Sequence, residues 1–542
     1  MKKKRFFTAL AGLMVLILTL GILSGCGNNT ENTSQPDTNT GKEITIAIYR
    51  DGDMNELDAA SYNGPHVIYK MIYEGFVEDG GKDGIQSLLA TSWDISENGK
   101  TYTFHLREGV TFTDGTPFNA EAVCFNMKRW INNDRHSSLS SYKVESCTAL
   151  DENTVQIQFA EGAYPILEEM TYPRPVRFLS PSSITGVDGD VMGEFTSPIG
   201  TGQWMLESYT ENEEFVLVTN PNYWGEQPKI SKITFKVIPD GQARVMALQS
   251  GEVDLIGGDL LGKIPMEGLQ ELKNSGYRIE ELDTMCSYFM AFNQENENFQ
   301  DVKVRQALNY AIDKETMVEN LFYGVGEAAR GLYNSDNVPY VTKDNSPGYT
   351  YNLEKAKKLL EEAGYTDSNN DGILEKNGKD FNIKLVYTSE ELPEWKTMAE
   401  YIQSEYAKIG VNVELSEVDT NTYNEISMTT FNFDMIMTRT SSDSWLPHGD
   451  MKQLFSVLST GNRARIWLDD TLTENINQTL LCHDEDERQE GYDRIFTQIN
   501  DEAFVVPLYY PKTCFAMTDK VTTFEPGVNN YAPINWTTLD VK

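Results

Sequence analysis

From Glu43 to Tyr49 the chain alternates, with Ile44, Ile46 and Ile48 on one side, and this two-residue period predicts a strand with one buried face. A helix is expected around Val67 to Phe76. Leu88 to Trp93 and then Tyr102, Phe104 and Leu106 predict two strands joined by a tight turn at Asn98-Gly99. A second turn is expected at Asp114-Gly115, after which Asn119 is placed to cap a helix over Ala120 to Trp130. Further on, Ala356, Leu359, Leu360 and Ala363 follow the i, i+3, i+4, i+7 spacing of a helix core stripe that Gly364 would end. Two runs, Tyr288 to Phe292 and Val505 to Tyr510, are apolar without alternating.

The N-terminal pattern is different in kind. Four cations, Lys2, Lys3, Lys4 and Arg5, precede an apolar block from Phe6 to Leu23, and Leu23-Ser24-Gly25-Cys26 follows. A basic start, an apolar core and small residues before a cut describe a secretory signal over residues 1–25, and a cysteine directly after the cut resembles the lipidation site of bacterial lipoproteins. Cys26 would then be the first mature residue and carry the lipid, holding the protein on the extracytoplasmic face of the membrane. An uncleaved membrane anchor is the alternative. From there to residue 42 the composition of Asn, Thr, Ser, Gln and Gly reads as a flexible tether.

Net charge is −37, and the mature chain, having lost four cations, is more negative still. Such a surface repels phosphate backbones and anionic headgroups, so nucleic-acid binding is excluded and membrane association falls to the lipid. With 40% hydrophobic residues the remaining chain buries a large core divided into lobes. Besides Cys26 there are cysteines at 124, 147, 286, 482 and 514, an odd and widely spaced set without a CxxC pair, which indicates neither a disulfide framework nor a structural zinc site.

Candidate chemistry concentrates at Thr171-Tyr172-Pro173-Arg174-Pro175-Val176-Arg177-Phe178. Two prolines fix φ and push the residue before each out of the helical region, so the segment is a stiff strap. In a polyproline conformation the three-residue period puts Arg174 and Arg177 on the same side, where two guanidinium groups suit a carboxylate. The alternative is that both pair with the protein's own abundant acids.

The run from Leu88 to Trp130 resembles the signature region of the peptide and nickel class of extracellular solute-binding proteins that feed ABC importers. The resemblance continues in order through Pro198 to Trp204, Leu248 to Leu255, Val304 to Lys314, Tyr351 to Tyr365 and Tyr406 to Val411. It implies an α/β, two-lobed periplasmic-binding-protein-like fold with a ligand cleft between the lobes and two crossing segments. Placing the crossings near Thr284 to Asn293 and Phe504 to Pro511 gives lobe I over 43–283, lobe II over 284–505 and a return segment over 506–542. It also implies hinge closure on the ligand, a monomer, and a membrane permease as partner.

Within the family the nickel-binding branch is the nearest resemblance. Its strap matches residues 173–178 and its Arg-His pair matches Arg135-His136. This implies that Arg174 holds the carboxylate of a small metal chelate, such as nickel bound by histidine, with Arg135 assisting and Arg177 beside it. Trp445 stands where the family's cleft carries a Tyr, Ser441 replaces a Trp, and Tyr531 lies in a C-terminal segment that also matches. No histidine falls between His448 and His483, so direct ligation of metal by the protein is not expected. A dipeptide or oligopeptide carrier is the alternative within this class.

A surface hydrolase is the alternative from another class. None of the five histidines lies in HExxH or beside a GxSxG elbow, and Ser140 to Lys143 matches only the short SxxK pattern. Gly324-Val325-Gly326 follows a helical run where a dinucleotide loop needs a strand. No enzyme activity and no cofactor are expected. Asp367, Asn369, Asp371 and Gly372 reproduce the first half of an EF-hand loop, but Gly378 occupies the place of the closing glutamate, which argues against a metal there.

Overall fold

The computed structural model describes residues 41–542 apart from 52–53, 62–63, 132–138, 174–176, 187–192, 391, 442–445 and 458–462. The leader, Cys26 and nearly all of the tether, together with Arg135, Arg174 and Trp445, therefore lie outside the described residues. Among the described residues no helix is long and apolar enough to cross a membrane.

Two mixed sheets organise the chain. In the first, Glu43–Ile48 sits near the centre, parallel to Lys232–Val237 and, through Ile46 and Leu255, to Leu255–Gly257; Ile44 and Ile46 are fully buried beneath it. Seven strands run in the order Trp204–Thr210, Glu214–Thr219, Lys232–Val237, Glu43–Ile48, Leu255–Gly257, Lys512–Met517, Arg278–Asp283. The second sheet has six: Glu327–Ala328, Val505–Tyr510, Tyr288–Phe292, Met435–Arg439, Asn382–Tyr387, Asn412–Glu417. A four-stranded antiparallel sheet of Ala90–Ile95, Thr101–Leu106, Thr154–Phe159 and Val144–Ala149 builds its own core around Phe76, Phe104 and Phe178. The first half of the chain thus has an additional layer beyond the two lobes expected.

Both apolar runs are strands of the second sheet. Every residue of Tyr288–Phe292 and Val505–Tyr510 is buried, because both are interior strands of the second sheet covered on both faces, and such strands lose the polar alternation. The chain passes between sheets in the short links after Asp283 and after Tyr510, and Thr284 Oγ1 ties the two links together by donating to the Pro511 carbonyl at 3.1 Å. Past Tyr510 the chain enters the first sheet as Lys512–Met517. Pro507 is tolerated inside this strand because the register shifts there: Tyr288 faces Tyr509 while Phe289 already faces Pro507.

The helix expected to reach Phe76 is His66–Ile72. Its end is set by tertiary partners: the Ile72 carbonyl accepts from Gly202 N at 2.9 Å and the Glu74 carbonyl from Phe178 N at 3.1 Å. Gly200 and Gly202 permit this approach, since a Cβ would stand 2.0 Å and 2.3 Å from the Ile72 and Met71 carbonyl oxygens respectively. The carboxylates of the EF-hand-like turn are turned onto their own loop: Asp367 accepts from Gly372 N at 3.0 Å and Asp371 from Ile373 N at 2.9 Å.

Candidate functional site

Two clusters link the halves of the molecule. The first stands beside the crossings. Asp259, just after the strand Leu255–Gly257, meets Arg439, the last residue of Met435–Arg439, with Nη1 3.2 Å from Oδ2. Lys263 lies 3.3 Å from Asp259 and 3.6 Å from Glu394, and it also bonds the Tyr288 hydroxyl, which donates to Glu394 at 2.9 Å. Asn530 adds a bond to Asp259 at 3.3 Å. Burial alone would raise the Asp259 carboxyl, but the Arg439 and Lys263 charges outweigh it and hold it at about 2. The network pins the first sheet to the second where the links cross.

Next to it lies a cavity of about 510 Å³. Its walls come from both halves, with Arg244 and Lys263 on one side and Phe322, Glu390, Glu394 and Arg439 on the other. Neither Arg177 nor Tyr531 lines it. Lys263 and Arg439 already face carboxylates and Arg244 donates to the carbonyls of Ile238, Pro239 and Lys263, so the cavity offers poor recognition for an anion.

The second cluster joins the layer of the four-stranded sheet to the second half. Glu169 and His448 are both buried, and His448 Nε2 lies 3.2 Å from Glu169 Oε1. The same carboxylate accepts the amides of Ser140 and Ser141 at 2.9 and 2.7 Å. Nearby, the Tyr164 and Tyr492 hydroxyls are 2.8 Å apart, Tyr164 N donates to the Leu480 carbonyl, and the Arg488 guanidinium lies 4.2 Å above the Tyr164 ring. Burial pushes the Glu169 carboxyl up, yet His448 and the two amides overcome this and leave it below the usual range. A carboxyl depressed in the fold contributes stability above its unfolded value, near 4.5, and loses it as pH falls through the folded one. Glu169→Ala, which orphans a buried histidine and two amides, is expected to lower stability by about 3 kcal/mol at neutral pH, read by urea denaturation. The difference from the parent should shrink in acid.

The strap follows Glu169 in the chain. Its start is held by Lys70, whose Nζ donates to the Thr171 carbonyl at 3.2 Å. Its end is held by Arg177, which is buried, bonds the Pro173 carbonyl, donates to the carbonyls of Ser61 at 2.6 Å and Asp58 at 3.2 Å, and stacks 3.6 Å over the Tyr69 ring. Arg129 grips the same stretch through the Asp58 carboxylate at 2.7 Å. From Tyr69 an aromatic run continues edge-to-face to His66 at 5.7 Å and on to Tyr531 at 5.3 Å. The structure therefore brings Arg177 and Tyr531 to one aromatic ladder. His66, its middle rung, was not singled out in the sequence; its spacing of three from Tyr69 on a helix is the signal that could have found it.

In the second half, Ser441 is tied to the helix His448–Phe455. Asp450 accepts from Ser441 N and Oγ at 2.9 and 2.7 Å and from the Tyr333 hydroxyl at 2.6 Å. Ser441 is thus tied to Asp450, and His448 on the same helix as Asp450 is drawn to Glu169.

The family model of bacterial extracellular solute-binding proteins, family 5 Middle, matches residues 84–462. The chain belongs to this family. It is accordingly a non-enzymatic solute-binding component of an importer, working outside the cytoplasm. Among its relatives, the nickel-binding periplasmic protein of Escherichia coli is 33% identical over 532 residues, 96% of this chain and 97% of that one. The oligopeptide-binding protein AppA of Bacillus subtilis is 25% identical over 535 residues, again 96% and 97%. The crystal structure of NikA from Brucella suis in complex with Fe(III)-EDTA superposes with a TM-score of 0.84 at 29% identity, covering 92% of this chain and all of that one. The mixed α/β, periplasmic-binding-protein-like architecture is thereby shared across this family 5 chain and its relatives.

Proposed function

We propose that this family 5 protein is the lipid-anchored substrate-binding subunit of an ABC importer, that it captures a small, carboxylate-bearing metal chelate of the nickel type, and that it delivers this to a membrane permease. The observation that carries the reading is the end-to-end likeness to a nickel-binding periplasmic protein together with the fold match to NikA holding an iron chelate. Arg174 and Arg135 supply cationic recognition with Arg177 bracing the strap beside them, Trp445 and Tyr531 aromatic walls, and Cys26 the anchor. The described ends of the strap support this, because the Thr171 carbonyl accepts from Lys70 Nζ and Arg177 donates to the Ser61 carbonyl, so the chain is held on both sides of residues 174–176. Recognition of the chelate's carboxylate by guanidinium requires no histidine ligand from the protein.

The second reading, a peptide carrier, is favoured by the full-length likeness to an oligopeptide-binding protein. Native mass spectrometry with elemental analysis of the ligand retained after gentle purification separates the two. A metal with an organic chelator in equal amount with the chain supports the chelate; a set of peptide masses without metal supports the alternative.

Closure follows from the same reading. Ligand should favour the state in which Glu169 meets His448, so small-angle scattering should show a smaller radius of gyration on loading. An unchanged radius at saturation would mark a rigid receptor.

A further inference from the structure

Cys124 stands on the helix Ala120–Ile131 and Cys147 on the strand Val144–Ala149, elements that pack against each other in the four-stranded-sheet layer. Both sit on fixed backbone: Asn119 caps the helix by accepting from Ala122 N at 3.0 Å, and Cys147 is paired with Ile157 across the sheet. Their sulfurs are 2.9 Å apart, inside non-bonded contact and about an ångström beyond the ~2.05 Å of a disulfide bond. The other described cysteines have other neighbours: Cys286 points to the Thr440 carbonyl, Cys482 to the Asp484 carbonyl, and Cys514 is buried beside the strand Leu255–Gly257. We propose that Cys124 and Cys147 are an oxidisable pair that closes to a disulfide by exchange with a low-molecular-weight disulfide outside the cytoplasm.

An extracytoplasmic location supplies the redox setting in which such bonds form and persist. The Cys147 thiol, donating to Cys124, and Lys128, one helical turn on, hold the Cys124 thiol below its ordinary value, so Cys124 is the attacking sulfur. Its thiolate bonds one sulfur of the donor disulfide and expels the other donor sulfur as a thiolate. Cys147 then gives its proton to solvent, and its sulfur attacks that of Cys124 in the mixed disulfide, expelling the second donor thiolate. Two protein thiols are oxidised and one donor disulfide is reduced to two thiols. The bond closes a loop between residues 23 apart in the chain that holds 132–138, with Arg135, and the Ser140 and Ser141 amides that bind Glu169.

The test uses the purified full-length chain equilibrated with oxidised glutathione, then denatured and alkylated with and without prior reduction. Peptide mapping should recover the segments of Cys124 and Cys147 joined, lighter by about 2 Da than the two reduced segments together, with Cys286, Cys482 and Cys514 alkylated directly. Reduction should lower the Tm of the parent and leave unmoved that of the Cys124→Ser, Cys147→Ser double variant, while Cys482→Ser keeps the joined peptide. Full alkylation of Cys124 and Cys147 in the unreduced, denatured parent overturns the proposal, as does a bond from either to Cys482 or to a second chain. Because the mapping is done on the parent, the result stands even if the double variant does not fold.

Discussion

Arg174→Ala is expected to weaken binding of the chelate by about 30-fold to several-thousand-fold without lowering the melting temperature. Once the halves close and water is expelled, removing the guanidinium leaves the ligand carboxylate desolvated and unpaired, and truncating one partner of such a pair costs about 2 to 5 kcal/mol. Arg174→Lys should restore little, because an ammonium keeps the charge but not the two-pronged donor geometry. Arg177→Ala should behave in the opposite way. Its side chain is spent on the carbonyls of Asp58, Ser61 and Pro173 and on the face of Tyr69, so its loss should lower stability by about 1 to 3 kcal/mol and affect affinity less. Titration calorimetry and thermal melts on the three variants read both axes. An Arg174→Ala protein that binds like the parent but melts earlier would make Arg174 a structural ion pair.

The second large effect is expected at Asp259. Asp259→Asn leaves Arg439 and Lys263 facing each other without their shared counter-charge. Removing one partner of a buried pair costs about 3 kcal/mol at the lower end, and the lower end applies because the Lys263 and Arg439 side chains remain 25% and 33% exposed. The pH dependence follows in sign. Asp259 is held at about 2 in the fold against 3.8 unfolded, so its contribution is complete above about 4 and disappears as pH falls from there towards 2. The difference between two such values corresponds to on the order of 2 kcal/mol. Denaturation midpoints of parent and variant should therefore converge in acid. Equal midpoints at neutral pH would show that the network contributes nothing net.

Much of the local architecture was legible in the chain. Asn119 does cap its helix, Gly364 takes the left-handed φ of +89° that ends its helix, and the strand at residues 101–106 alternates as its side chains announce. Legibility failed where burial removed the alternation: Tyr288–Phe292 and Val505–Tyr510 are sheet interior, and an apolar run does not say which sheet it joins. It failed again for partners chosen in three dimensions. Asp259 meets Arg439 across 180 residues and Glu169 meets His448 across 279, and in a chain this acidic the sequence offers each cation dozens of carboxylates. The strap was conspicuous through its prolines, whereas the aromatic rungs that support its last arginine, Tyr69 and His66, look in sequence like ordinary core. The thiol pair was hidden by its spacing, since helix-on-sheet packing and not a CxxC motif brings the sulfurs together.

The most direct test of the proposed ligand is calorimetric titration of the mature, ligand-free chain with a preformed nickel–histidine chelate, alongside free nickel, free histidine and a mixed peptide pool. The account predicts saturable binding of the chelate at about micromolar Kd or tighter, and weak or no binding of the other three. Tight binding of the peptides with none of the chelate would contradict it.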